Sequence, residues 1–92
     1  MLDKVGRWWD NAGNEIDAVG IAEEEQVLVL GECKFWQGQV GLNVLQALEQ
    51  KALQVSWHSE TRKTLYVLFS IHGYTAELQQ LAMQRQDLIL CR

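Results

Sequence analysis

Residues 26–34, Gln26-Val27-Leu28-Val29-Leu30-Gly31-Glu32-Cys33-Lys34, decide the fold. Val27 to Leu30 is an unbroken apolar run, too short for a buried helix and rich in β-formers, so the segment reads as a strand. Its apolar residues fall on both faces, which predicts a strand covered on both sides. It ends on two charged residues, Glu32 and Lys34, which period-two geometry places on one face. Glu23-Glu24-Glu25 is an acidic break just upstream. Before that, Glu15 to Ala22 (EIDAVGIA) reads as another strand, again charged at one end, with Glu15 and Asp17 sharing a face. Asn11-Ala12-Gly13-Asn14 is a turn signal, because Asn and Gly tolerate positive φ, and Lys4 to Asp10 in front of it is a first strand.

Downstream the period changes. From about Gly41 to Trp57, Leu42, Leu45, Leu48, Ala52 and Val55 recur in steps of three and four, which predicts a helix. Thr64 to Ser70 (TLYVLFS) returns to strand character, and His72-Gly73 is a turn. Thr75 caps a second helix running to about Met83, and Asp87 to Cys91 is a short last strand. The order β-β-β-α-β-α-β implies an antiparallel meander followed by a parallel, right-handed crossover. The expected fold is therefore α/β, a mixed β-sheet flanked by helices, with residues 1–92 as a single domain. There is no proline to mark a linker and no internal repeat.

The charged strand ends are the candidate site. If the acidic break closes a hairpin with Ala22 opposite Val27, Asp17 falls opposite Glu32, and Glu15 opposite Lys34. Opposed Cβ atoms in an antiparallel pair lie about 5 Å apart. Two carboxylates that close repel unless a cation sits between them. Oxygen donors of this kind suit Mg²⁺ (or Mn²⁺), which takes one or two protein carboxylates, water and substrate phosphate; the carbonyl of Cys33 is a further candidate ligand. The Lys34 ammonium can hold an attacking water or offset charge on phosphoryl oxygens. Asp17, Glu32, Lys34 and, as an auxiliary acid, Glu15 are thus the parts for metal-dependent hydrolysis of a phosphodiester. The competing reading of Glu15 is an ion pair with Lys34.

The run Glu15-Ile16-Asp17, a hydrophobic strand and then Glu32-Cys33-Lys34 resembles the D…(D/E)-x-K signature of the PD-(D/E)XK, or restriction endonuclease-like, superfamily. Asp17 stands at its first acidic position, and Glu32 and Lys34 at its (D/E)-x-K pair. More closely, VGRWWD (5–10), EIDAVGI (15–21), GECKFW (31–36) and LYVLFSIHGYT (65–75) resemble a domain of unknown function at the C-terminus of archaeal-type P-loop ATPases, over Val5 to about Leu81. The resemblance implies a restriction endonuclease-like core, DNA as substrate and an ATPase module upstream. Two departures stand out. The superfamily carries an acid on a helix ahead of its first strand; either Glu15 is a local substitute for it or that helix lies in sequence upstream of Met1. Where some branches have Gln-x-x-x-Tyr on the following helix, Gln46 is followed here by Gln50. A phosphate-binding G-x-x-x-x-G-K-[ST] does not occur.

The remaining features set limits. A net charge of −4 argues against a duplex-coating protein, though a bound cation offsets local repulsion of phosphate. Cys33 and Cys91 lie far apart with no C-x-x-C, which suggests no zinc site. Met1-Leu2-Asp3-Lys4 lacks a signal-peptide core and no apolar stretch approaches the ~20 residues that span a bilayer, so the cytoplasm is expected and a membrane partner is not. The Trp8-Trp9 pair beside Arg7 suits packing better than base stacking. His58 and His72 read as surface or capping residues, and Ser70 lacks a G-x-S-x-G context. Gly31 marks a close approach or a bulge, and Arg62-Lys63 is a basic spot able to touch phosphate. Besides the nuclease, two alternatives follow: a non-catalytic nucleic-acid- or protein-binding regulatory domain of an ATPase, and a structural homodimerisation module using Phe35 and Trp36.

Overall fold

Turn chemistry organises the N-terminal half. The computed structural model describes residues 2–34 and 38–91, so the dimerisation reading of Phe35 and Trp36 lies outside the described residues. Strand β1 (Lys4–Trp9) runs into a turn that Asp10 builds, its Oδ1 accepting the backbone N–H groups of Ala12 and Asn14 at 2.9 Å each, while Gly13 takes φ 89°. Strand β2 (Glu15–Ala22) and strand β3 (Val27–Lys34) are joined through the three glutamates and Gln26, which adopts φ 53°. Gln26 is then tied to the later chain: its carbonyl accepts from Lys63 N at 2.9 Å and its side-chain oxygen from Thr61 Oγ1 at 2.5 Å. Helix α1 (Leu42–Ala52), strand β4 (Lys63–Ser70), helix α2 (Ala76–Gln84) and strand β5 (Leu88–Cys91) follow.

The five strands form one sheet in the order β1-β2-β3-β4-β5, antiparallel from β1 to β3 and parallel from β3 to β5. This is a mixed-sheet α/β fold with two helices. Ala22 pairs with Val27 and the β2/β3 ladder runs regularly to Ala18 opposite Gly31, so Gly31 is an ordinary ladder position and no bulge.

The bulge is elsewhere. Gly6 faces Val19 but Trp8 faces Ile16, so Asp17 and Ala18 together oppose the single residue Arg7. The extra residue explains why Ile16 and Val19, three apart, both join the core, which strict alternation forbids. Trp8 is half-buried against that core and Trp9 is exposed.

Both helices pack on one sheet face. Val44, Leu45, Leu48 and Ala52 of α1 and Leu78 of α2 share a single core cluster with Leu28, Leu30, Leu68 and Leu88. Two successive crossovers of the same hand, moving the same way across the sheet, set both helices on the same side. The expectation that β3 is covered on both faces therefore needs correction. Leu28 and Leu30 are fully buried, whereas Val27 and Val29 are only half-buried, and no helix among the described residues covers their side.

Helix α1 also stops earlier than the apolar spacing suggests. Arg62 bridges the helix end and the turn after it, its guanidinium donating to Ala52 O at 2.9 Å, Val55 O at 2.6 Å and Trp57 O at 2.8 Å. Val55 stays buried in the turn that follows. Arg62 is thus turned inward as a C-terminal cap, and only Lys63 of that basic pair is exposed. At the other end of the sheet, Ser70 Oγ donates to Gly73 O at 2.9 Å, Gly73 takes φ 85°, and Thr75 caps α2 by accepting from Leu78 N. The buried Tyr74 hydroxyl reaches Leu68 O at 2.7 Å and also contacts Cys91 O, joining β4 to β5.

Candidate functional site

The site is built where β2 and β3 part. The ladder's regular pairs end at Ala18 and Gly31. One step further, on the bulge, the Asp17 side chain replaces the backbone partner: its Oδ2 accepts the N–H of Cys33 at 3.0 Å. The carboxyl group of Glu32 adjoins it closely enough for the two to share a hydrogen bond.

The two acids live in different surroundings. Asp17 is exposed, while Glu32, between β2 and β4 and beneath α1, is only 4% exposed. Lys51 reaches down from α1 and its Nζ lies 2.8 Å from Glu32 Oε1. Burial pushes the Glu32 carboxyl up; the Lys51 hydrogen bond opposes this and the neighbouring Asp17 adds to it, leaving Glu32 above its ordinary value. Burial acts on Asp17 in the same direction. It is outweighed by the Cys33 N–H, the hydrogen bond shared with Glu32 and the nearby Lys34 and Lys51, which leave Asp17 below its ordinary value. The pair therefore holds one carboxylate readily ionised and one inclined to keep a proton.

Of the residues singled out from sequence, Asp17 and Glu32 meet, and Lys34 is half-buried beside them with its charge acting on Asp17. Cys33 contributes its backbone N–H, and its thiol is pushed up by burial and then by the two acids. Glu15 does not appear among the contacts of the pair. It lies 3.6 Å from Arg7 across the outer hairpin, both side chains being exposed. The β-bulge lies between Glu15 and the carboxyl pair along β2.

Lys51 is the residue that sequence reading missed. A signal existed: Lys51 follows Leu48 by three and Val44 by seven, so it falls on the buried stripe of α1, where a lysine demands an acid inside.

The donor chemistry fits a hard divalent cation that takes two carboxylates and completes its shell with water and substrate oxygen. It does not fit a site closed by protein ligands alone, for no group of three or more His, Cys, Asp or Glu able to hold a metal occurs among the described residues. Beside the pair, Glu32, Lys34, Asn43, Val44, Ala47 and Lys51 line a cleft of about 120 Å³ between the end of β3 and α1.

A family model described as archaeal and bacterial proteins of unknown function, DUF234, matches residues 1–53. The chain belongs to this family. The matched span runs from β1 through α1 and so contains Asp17, Glu32, Lys34 and Lys51 together. No curated protein and no solved structure matches the chain. No helix among the described residues is long and apolar enough to cross a membrane.

Proposed function

We propose that this domain hydrolyses DNA phosphodiester bonds at Asp17 and Glu32 with Mg²⁺ or Mn²⁺, on a restriction endonuclease-like core joined to an upstream P-loop ATPase, in the cytoplasm. The observation that carries this reading is the adjoining Asp17–Glu32 pair, Asp17 held below and Glu32 above its ordinary value, with Lys51 2.8 Å from Glu32 and the charge of Lys34 acting on Asp17. Asp17 and Glu32 hold the cation, which when bound polarises the phosphoryl group and makes a bound water acidic. Lys34 stands where it can hold the attacking water or counter charge on the non-bridging oxygens. Cys33 keeps Asp17 aimed through its backbone N–H.

The test is calorimetric titration with Mg²⁺ and Mn²⁺, paired with cleavage of plasmid and branched DNA. Asp17→Asn is expected to abolish metal binding and cleavage together, and Lys34→Met to abolish cleavage while metal still binds. Cleavage that persists in both variants, or a wild-type chain that binds neither metal, defeats the proposal.

A second reading is favoured by a separate observation. The sheet face away from the helices carries a shallow groove of about 250 Å³ lined almost wholly by apolar groups, among them Leu2, Val5, Ala18, Val29, Val67 and Phe69. A non-catalytic assembly module would use such a face. Self-association followed by sedimentation, and its loss in Phe69→Asp, distinguishes that role.

A further inference from the structure

We propose that two copies of this chain pair edge to edge through β5, joining their sheets about a two-fold axis at Ile89. This pairing does not rest on the hydrolytic reading, and it uses a different surface from the open sheet face.

The two edges of the sheet are unequal. Strand β1, at one end, is blunted: Lys4 and Arg7 stand on it, and the bulge breaks its ladder with β2. Charges and bulges are what keep an edge strand from pairing with another chain. Strand β5, at the other end, reads Leu-Ile-Leu-Cys, without charge or proline, and its register against β4 is regular. Asp87 O accepts from Tyr66 N at 2.7 Å, so alternation turns the N–H and C=O groups of Leu88 and Leu90 away from β4. Leu88 N–H reaches Arg85 O at 3.5 Å, and no strand lies beyond β5 among the described residues.

Both faces beside this edge are apolar, and that names the partner. On the helix side, Tyr74, Gln79, Ala82, Met83 and Leu90 line a cleft of about 330 Å³, with Met83 87% exposed. On the other side Ile89 is exposed. An incoming strand must therefore be apolar on both of its faces, as β5 itself is. With a second copy turned antiparallel about Ile89, Leu90 N–H of each donates to Leu88 O of the other and the two Ile89 side chains meet. The clefts beside α2 then close against each other.

Charge and symmetry agree with this choice. Two chains of net charge −4 repel, but neither residues 88–91 nor the cleft lining carries a charge. Arg85 and Asp87, just before β5, are paired with each other at 2.8 Å, and Arg92 lies outside the described residues. Pairing β5 with β5 leaves only the blunted β1 edges outside, so the assembly closes as a dimer instead of running on as a fibre. A four-residue strand is ~13 Å long, and a helix on a sheet is ~20 Å deep. In projection the contact covers ~500 Å² over both copies, below the ~1,200 Å² of a stable complex, so the dimer is reversible with a Kd on the order of 100 µM.

The experiment is sedimentation velocity of the whole chain between about 10 µM and 1 mM, with amide exchange followed by NMR at both ends of that range. The mass should rise towards two copies. Exchange at Leu90 should slow about fourfold, the fall in free chain at that Kd, while Ile89 N–H, which faces β4, changes little. Met83→Glu and Ile89→Lys, at side chains 87% and 44% exposed and so outside the core, should each weaken association about tenfold by setting like charges together. Phe69→Asp, on the open sheet face, should leave it unchanged. A chain that stays single throughout, with Leu90 exchange independent of concentration, overturns the proposal. So does association that survives Met83→Glu and is lost in Phe69→Asp, which assigns it to the open face.

Discussion

Replacing Lys51 by methionine removes the ammonium and keeps the stem that packs along α1. Glu32 then sits 4% exposed with its ion-pair partner gone. Deleting one member of a fully buried pair costs about 3–5 kcal/mol. Two features reduce this: Lys51 is itself 26% exposed, and Glu32 can escape by taking up a proton. About 2 kcal/mol is the expected loss at pH 8, set against a total of ~5–10 kcal/mol for a domain of this size. The pH dependence is the sharper test. Glu32 already lies above its ordinary value because burial outweighs the pull of Lys51, so losing Lys51 raises it further. A group whose folded value exceeds its unfolded one binds more protons in the folded state between the two. Stability therefore falls as pH rises through that window. The penalty in Lys51→Met should accordingly be greatest in the alkaline limb and shrink on acidification as Glu32 takes up its proton in the folded variant. Urea denaturation across this range reads it as a midpoint shift of about 1 M at pH 8 that closes on acidification. Adding Glu32→Gln should recover most of the loss. A penalty of the same size at every pH would mean that Lys51 acts by packing alone, and the account of the site's electrostatics would fail.

Two further substitutions probe the frame. Tyr74→Phe removes a buried hydroxyl that joins Leu68 and Cys91 backbone oxygens across β4 and β5; it should cost about 1–2 kcal/mol and speed amide exchange in residues 88–91, and unchanged protection there would count against the tie. Arg62→Lys replaces a planar fork donating to three carbonyls by a single ammonium, and should cost about 2 kcal/mol in thermal or chemical denaturation, with a neutral result contradicting its role as the cap of α1.

Much of the sheet could be read from the chain because its signals are local. The Asn-Ala-Gly-Asn turn and the acidic break bound β2, whose Glu15–Ala22 limits follow directly, and the three- and four-residue steps from Leu42 identify α1. The β2/β3 register with Ala22 opposite Val27 is legible for the same reason: short connections leave few pairings. What escaped depends on three dimensions. Alternation counting assumes one residue per step, so it cannot see the extra residue at Asp17-Ala18 that turns Ile16 inward. The apolar spacing of α1 continues to Val55, but the helix ends at Ala52, where Arg62, ten residues beyond, donates to that carbonyl and to those of Val55 and Trp57 in the turn after it. Apolar residues on both faces of β3 say that each face avoids water, not that a helix lies over each. Lys51 falls on the buried stripe of α1, but its partner Glu32 lies 19 residues earlier in another element, beyond any local pattern.

The asymmetry of the carboxyl pair follows from how the sheet is assembled, and it is what gives two acids two different capacities. Glu32 belongs to the central strand, flanked by β2 and β4 and roofed by α1, so water is withdrawn from it on every side and its neutral form gains. Asp17 belongs to the strand that the bulge pulls away. Its carboxylate meets water and a backbone N–H together, and its charged form gains. Moving the bulge one residue would return Asp17 to the ladder and remove the Cys33 contact. The pair would become two similar acids facing each other, whose repulsion only a shared proton or a cation relieves. The hydrolysis proposed above would use one group that stays charged beside another whose neutral form is favoured. That difference arises here from a single inserted residue in β2 and from the burial of Glu32 beneath α1, which outweighs the pull of Lys51.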